Sequence, residues 1–163
     1  MRYLKLYEEL TFEPKKIYYT KDEGDSLIVY TFDFGDYTYL CEFSKIDDNM
    51  WRRDFHTMEE GFGTVNIGGK NALDTYAYIT KITEDFINEY KPDLLVLFHT
   101  SESRFNVNWR FMQNINIGSD YEIKPLKNPP FNNDIKTVVV KKDLEDLIYS
   151  DVIKNEKDKK WDI

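Results

Sequence analysis

The sequence predicts an α+β fold: an N-terminal antiparallel β-meander followed by helix-strand-helix-strand-helix, with the helices packed on one face of the sheet. Three observations carry this. Residues 27–58 run in stretches of β-branched and aromatic residues, broken by Gly35-Asp36 and by Asp47-Asp48-Asn49, as short strands joined by tight turns do. From Ala72 the apolar residues Ala72, Tyr76, Ile79, Ile82, Phe86 and Ile87 recur at the spacing of one helix face. Leu94-Leu95-Val96-Leu97-Phe98 is apolar at every position, which suits a strand buried on both sides.

The elements follow in order. Residues 16–20 form a first short strand, and the polar run 21–25, with Gly24, reads as a turn. Leu27 to Phe34 and Tyr37 to Phe43 are paired strands about Gly35-Asp36. Trp51 to Met58 is the next strand. Four of the seven glycines (Gly61, Gly63, Gly68 and Gly69) then fall within nine residues. Asn71 is a good helix N-cap, and Asp74 stands three residues later in a box-like arrangement. The helix so capped runs from about Ala72 to about Tyr90, because Pro92 disfavours helical backbone at the residue before it. Ser101 or Ser103 caps a second helix from Arg104 to about Asn114, with Phe105, Trp109 and Met112 on one side. Tyr121 to Ile123 is a short strand, Lys127 to Asn133 a loop and Ile135 to Val140 the last strand. Leu144, Leu147 and Ile148 mark a short helix. Residues 1–154 make one domain, and residues 155–163 a charged tail expected to fray.

Composition narrows the function classes. The 163 residues carry 30 acidic and 22 basic side chains, a net charge of −8, which argues against direct nucleic-acid binding. The 12 Tyr, 11 Phe and 3 Trp argue against disorder. One cysteine, Cys41, excludes an internal disulfide, and in its strand-like setting it reads as a buried sheet residue. The longest apolar run is far shorter than the ~20 residues of a spanning helix, and no signal or lipidation motif is present. The expectation is a cytoplasmic protein with no membrane association. No metal site is expected: two histidines and one cysteine lack zinc spacing, and Asp22, Glu23 and Asp25 do not fill a calcium loop. No cofactor is expected either.

Three candidate sites remain. Gly68, Gly69, Lys70 and Asn71 precede the first helix, where main-chain amides attract anions. They miss the phosphate-loop pattern by one glycine position and by Asn71 in place of a hydroxyl. His56-Thr57 and His99-Thr100-Ser101 form the second. Two-histidine phosphoesterases pair two His-x-Thr/Ser strands around a phosphate; His99 and Ser101 fit that spacing, whereas Met58 breaks it after His56. A hydrolase using His56, His99 and Ser101 requires both imidazoles to reach one cleft, one taking a proton while the other gives one. The third is a surface. Over residues 21–60 eleven acids stand against four bases, so nearly all the net charge lies on the meander. If its aromatics face outward, Asp33, Asp36, Tyr37, Tyr39, Asp47, Asp48 and Trp51 form an acidic, aromatic binding face.

The stretch from Gly61 to Ile115 resembles small α+β accessory proteins of tailed bacteriophages. The matching features are the helix face Ile79, Ile82 and Phe86, the Pro92-Asp93 turn, the strand Leu94 to Phe98, the opening Ser103-Arg104 and the aromatic Trp109. The strand-helix-strand pattern is also similar to that of acetyltransferases, but Gly61 to Lys70 does not match their acetyl-CoA loop. The phage resemblance, with the acidic face, leads to the expectation of an accessory protein in the host cytoplasm that acts by binding a host or phage protein. A host defence or nucleic-acid enzyme is the expected target, homo-oligomers are compatible with exposed sheet edges, and a virion component is the third reading.

Overall fold

The computed structural model describes residues 18–58, 72–99, 102–126 and 135–149. Seven strands form one sheet: β1 (Thr20–Glu23), β2 (Leu27–Phe34), β3 (Tyr37–Asp47), β4 (Met50–Thr57), β5 (Leu94–His99), β6 (Tyr121–Leu126) and β7 (Ile135–Lys141). Two α-helices, α1 (Ala72–Tyr90) and α2 (Glu102–Met112), flank β5 in sequence, and a 3-10 segment (Lys142–Tyr149) follows β7. The spatial order of the strands is β1-β2-β3-β4-β5-β7-β6.

The meander forms as the turn chemistry predicts. Phe34 pairs with Tyr37 across Gly35-Asp36, and Gly35 has a φ of 61°, open to glycine at no steric cost. Asp47 pairs with Met50, and Asn49 takes the left-handed backbone (φ 50°) that asparagine tolerates. The first strand is displaced from its expected place. Thr20–Glu23 pairs with Ile28–Thr31, so the polar run read as a turn is an edge strand. Its side chains are mostly exposed. Edge strands carry charge without cost, which is why polarity misled the sequence reading. Helix α1 has the bounds its periodicity gives. It ends in a bond from the Lys91 amide to the Ile87 carbonyl, with Lys91 at φ 47°.

The two α-helices pack on one face, but the third expected helix, at Leu144, Leu147 and Ile148, is a 3-10 segment that covers the opposite face. Ile79, Ile82, Phe86 and Ile87 of α1 and Met112 of α2 share a core with Ile28, Tyr30, Phe32, Tyr39, Cys41, Phe43, Trp51, Leu95, Leu97 and Val139. The opposite face has a smaller core of Met50, Leu94, Val96, Val138, Val140 and Leu126, covered by Ile148 of the 3-10 segment. The sheet is mostly antiparallel. The exception lies at its centre, where β4 and β5 run parallel, because α1 between them carries the chain back to the starting edge. A parallel strand fed by a helix needs both faces covered, and β5 is buried on both.

Candidate functional site

The β4–β5 junction is closed at one end and open at the other. The Asp93 amide donates to the Asn49 carbonyl (2.8 Å), and Lys141 holds the Asp93 carboxylate at 2.6 Å. Above this tie the two strands pair for only four residues, from Met50 with Leu94 to Arg53 with Leu97. Each strand then continues with its outer neighbour alone: β4 with β3 as far as Tyr39–Thr57, and β5 with β7 as far as His99–Ile135. Among the described residues no β4–β5 pair forms beyond Arg53–Leu97, so the sheet splits into a wedge at the C-terminal ends of its parallel strands. Ligands of open α/β sheets gather at such ends. Because α1 runs back from this end, its N-terminus stands at the mouth of the wedge.

Strand parity sorts the side chains. On the helix-covered face, at the last rung of the ladder, lies Arg53, 1% exposed. Its Nη1 donates to Thr83 Oγ1 on α1 (2.9 Å) and its Nη2 to Asn108 Oδ1 on α2 (3.2 Å). The Thr83 hydroxyl in turn donates a hydrogen bond to the Ile79 carbonyl (2.7 Å). Burial pushes the guanidinium pKa down, yet an arginine keeps its charge. Arg53 Nε and Asn108 Nδ2, both buried, have no hydrogen-bond acceptor among the described residues. His99 shares this face. Its Nε2 lies 2.9 Å from Thr137 Oγ1 and its ring meets the edge of Phe105 at 5.5 Å. Burial, with Arg53 adding its charge, lowers its pKa to about 3, so its imidazole is neutral.

The other face carries Arg52, Asp54 and His56 of β4 with Glu42 of β3. Arg52 grips Asp54 with two parallel bonds, Nε to Oδ2 at 2.7 Å and Nη2 to Oδ1 at 3.0 Å. Its guanidinium also lies 4.1 Å from the Phe98 ring centre, which Lys136 Nζ approaches at 5.1 Å. Glu42 pairs with Asp54 across the strands, and burial followed by the Asp54 charge raises its carboxyl pKa. His56 is buried, which lowers its pKa, while Asp54 opposes that shift. Perturbed acids and bases beside an open sheet end mark a site candidate.

These placements correct two expectations. His56 and His99 do not share a cleft. Arg53 and Leu97 are paired, so His99, two residues beyond Leu97, falls on the Arg53 face, and His56, three beyond Arg53, falls on the other. The sheet separates them, which removes the paired-histidine hydrolase. The aromatics of the meander also do not face outward with the acids. Tyr39 and Trp51 are buried with Tyr30, Phe32 and Phe43, whereas Tyr37 is exposed at 42%. Asp33, Asp36, Asp47 and Asp48 are exposed, and Asp33 and Asp47 accept bonds from the Thr38 hydroxyl (2.6 Å) and the Asp48 amide (2.8 Å). The charge of these four residues therefore lies at the two hairpin turns of the meander, with Tyr39 and Trp51 buried in the core. Gly68, Gly69, Lys70, Asn71 and Ser101 lie outside the described residues, as does the tail. Among the described residues no cluster of metal-ligating side chains occurs, and no helix is long and apolar enough to cross a membrane.

Arg53, Asn108, Thr83, Glu42 and Asp54 were not singled out from the sequence. One signal was available: Arg52-Arg53 sits inside a strand between Trp51 and Phe55, and a strand places consecutive residues on opposite faces. One of the two arginines therefore had to point into the core.

No family model matches the chain, and no curated protein matches it. Among solved structures the chain is similar to the N-acetyltransferase PseH of Campylobacter jejuni, with 12% identity and a TM-score of 0.41, over 86% of this chain and 76% of that one. It is also similar to a variant of the spermidine N-acetyltransferase SpeG of Vibrio cholerae, with 11% identity and a TM-score of 0.40, over 92% of this chain and 77% of that one. The likeness concerns the arrangement of strands and helices. The expectation of an accessory protein that binds a partner through an acidic, aromatic face is corrected on physical grounds, because the meander aromatics that would form that face are buried in the core.

Proposed function

We propose that the chain is an acyl-transfer enzyme whose donor is an acyl thioester on a phosphopantetheine arm, as in an acyl-coenzyme A. The parting of β4 and β5 beyond Arg53 and Leu97 carries this reading. An extended ligand with amides of its own enters such a wedge as a short extra strand, matching main-chain donors and acceptors at strand spacing. A pantetheine arm is such a ligand. Residues 54–57 of β4 offer it about 13 Å, at ~3.3 Å per residue. The N-terminus of α1, at the mouth, suits the diphosphate at the outer end of the arm. The ligand is thereby oriented, with phosphates at the mouth and the thioester toward the closed end.

The acceptor approaches from the face of Glu42, Asp54 and His56. Its nitrogen or oxygen lone pair adds to the thioester carbonyl carbon, and its proton passes to His56, which burial keeps uncharged near neutral pH. The carbon–sulfur bond then breaks, and the leaving thiolate takes the proton back from the imidazolium. Asp54, on the same face, stabilises that imidazolium while it lasts.

Calorimetric titration with coenzyme A and acetyl-coenzyme A tests the reading. Saturable binding and a rise in Tm are expected, since a ligand selective for the folded state stabilises it. No heat and an unchanged Tm at millimolar ligand would overturn it.

A further inference from the structure

We infer that the acyl group this chain accepts ends in a carboxylate, as in a malonyl or succinyl thioester, and that Arg53 with Asn108 is the pair that selects it. The inference rests on the acyl-transfer reading. Its basis is a buried cation with no paired anion among the described residues. Arg53 is 1% exposed and Asn108 is fully buried, and the hydrogen-bond partners of the guanidinium among the described residues, Thr83 and Asn108, are neutral. Among the described residues no carboxylate forms an ion pair with Arg53. Asp54, next in the chain, projects to the opposite face and is held by Arg52. Burying a charge without a counter-charge is costly, and leaving its donors unbonded adds to that cost. Among the described residues two donors, Arg53 Nε and Asn108 Nδ2, lack acceptors, on residues already bonded to each other.

Position gives the ligand. Arg53 stands on the last paired rung, at the closed end of the wedge. A donor oriented with its phosphates at the mouth brings its acyl group, not its nucleotide, to that end. The group that continues past the thioester carbonyl meets the helix-covered face, while the acceptor keeps the opposite face. A carboxylate has two oxygens for the planar fork of a guanidinium and a further lone pair for an amide donor. His99 on the same face is neutral and supplies no charge to a carboxylate there, whereas Arg53 does.

The test compares acetyl-, malonyl- and succinyl-coenzyme A by calorimetry on the full chain and on Arg53→Met, Arg53→Lys and Asn108→Leu. One of the two carboxylate-bearing donors should bind about tenfold or more tighter than the acetyl donor, the size of one charge-assisted hydrogen bond. Arg53→Met should bring the donors to parity, and Arg53→Lys should keep part of the preference. Equal affinity for all three in the unaltered chain overturns the inference and leaves acyl transfer standing. Binding of none overturns both. A preference that survives Arg53→Met overturns the role of Arg53. Should that variant fail to fold, the comparison on the unaltered chain and Asn108→Leu decides.

Discussion

Among the α1 side chains that pack on the sheet, Phe86 lies between Phe43 and Trp51, and its truncation has a calculable effect. The ring stacks on Phe43 with centroids 3.9 Å apart and planes 8° from parallel. It meets the edge of Trp51 at 5.4 Å and lies 4.9 Å from Tyr90. No part of Phe86 reaches solvent. Phe86→Ala opens a cavity between helix and sheet and should cost about 3–5 kcal/mol. Phe86→Leu fills most of that space and forfeits chiefly the ring pairs, each about 0.5–1.5 kcal/mol, so it should cost about 1–2 kcal/mol. At this chain length each kcal/mol moves Tm by about 2–4 °C, so the alanine variant should melt roughly 6–20 °C lower. Urea unfolding followed by tryptophan fluorescence measures both costs, since Trp51 touches the altered ring. An alanine cost below about 1 kcal/mol, under the range for buried Phe truncation, or one equal to that of leucine, would refute that packing. The outcome bears on the wedge, because α1 also carries Thr83, which holds Arg53.

Two further predictions concern titration and reactivity. His99 has a folded pKa of about 3 against an ordinary 6.5, so between these values the unfolded chain binds a proton that the folded chain does not. The stability it contributes is present above pH 6.5 and is lost as pH falls toward 3; His99→Gln should lose Tm less steeply between pH 6.5 and 4, values set by that window, and identical slopes would refute this. Burial raises the Cys41 thiol to about 12, so a thiol reagent should leave the native protein unmodified at mildly alkaline pH and label it in urea. Labelling of the folded chain at the rate seen in urea would contradict that burial.

Much of the fold is written in short-range pattern. The six apolar positions of α1, the glycine and asparagine turns of the meander and the apolar run of β5 each reflect chemistry within a few residues of chain. The bounds of α1 could therefore be read directly. The edge strand β1 could not, since charge on an exposed edge and charge in a turn look alike in one dimension. Whether Tyr39 and Trp51 face solvent was equally beyond the pattern, because alternation sets which residues share a face and not which face meets the helices.

The site itself is a matter of register. The sequence by itself determined that Arg52 and Arg53 take opposite faces of a strand, that Cys41 lies within the sheet and that α1 follows a strand and precedes a buried one. Only the tertiary structure decided that β4 and β5 lie side by side in parallel, part after four pairs and carry His56 and His99 on opposite faces. The reason is that pairing between strands some forty residues apart depends on how α1 packs, which no local preference encodes. A one-residue change in that register would exchange the faces and move every functional group with them.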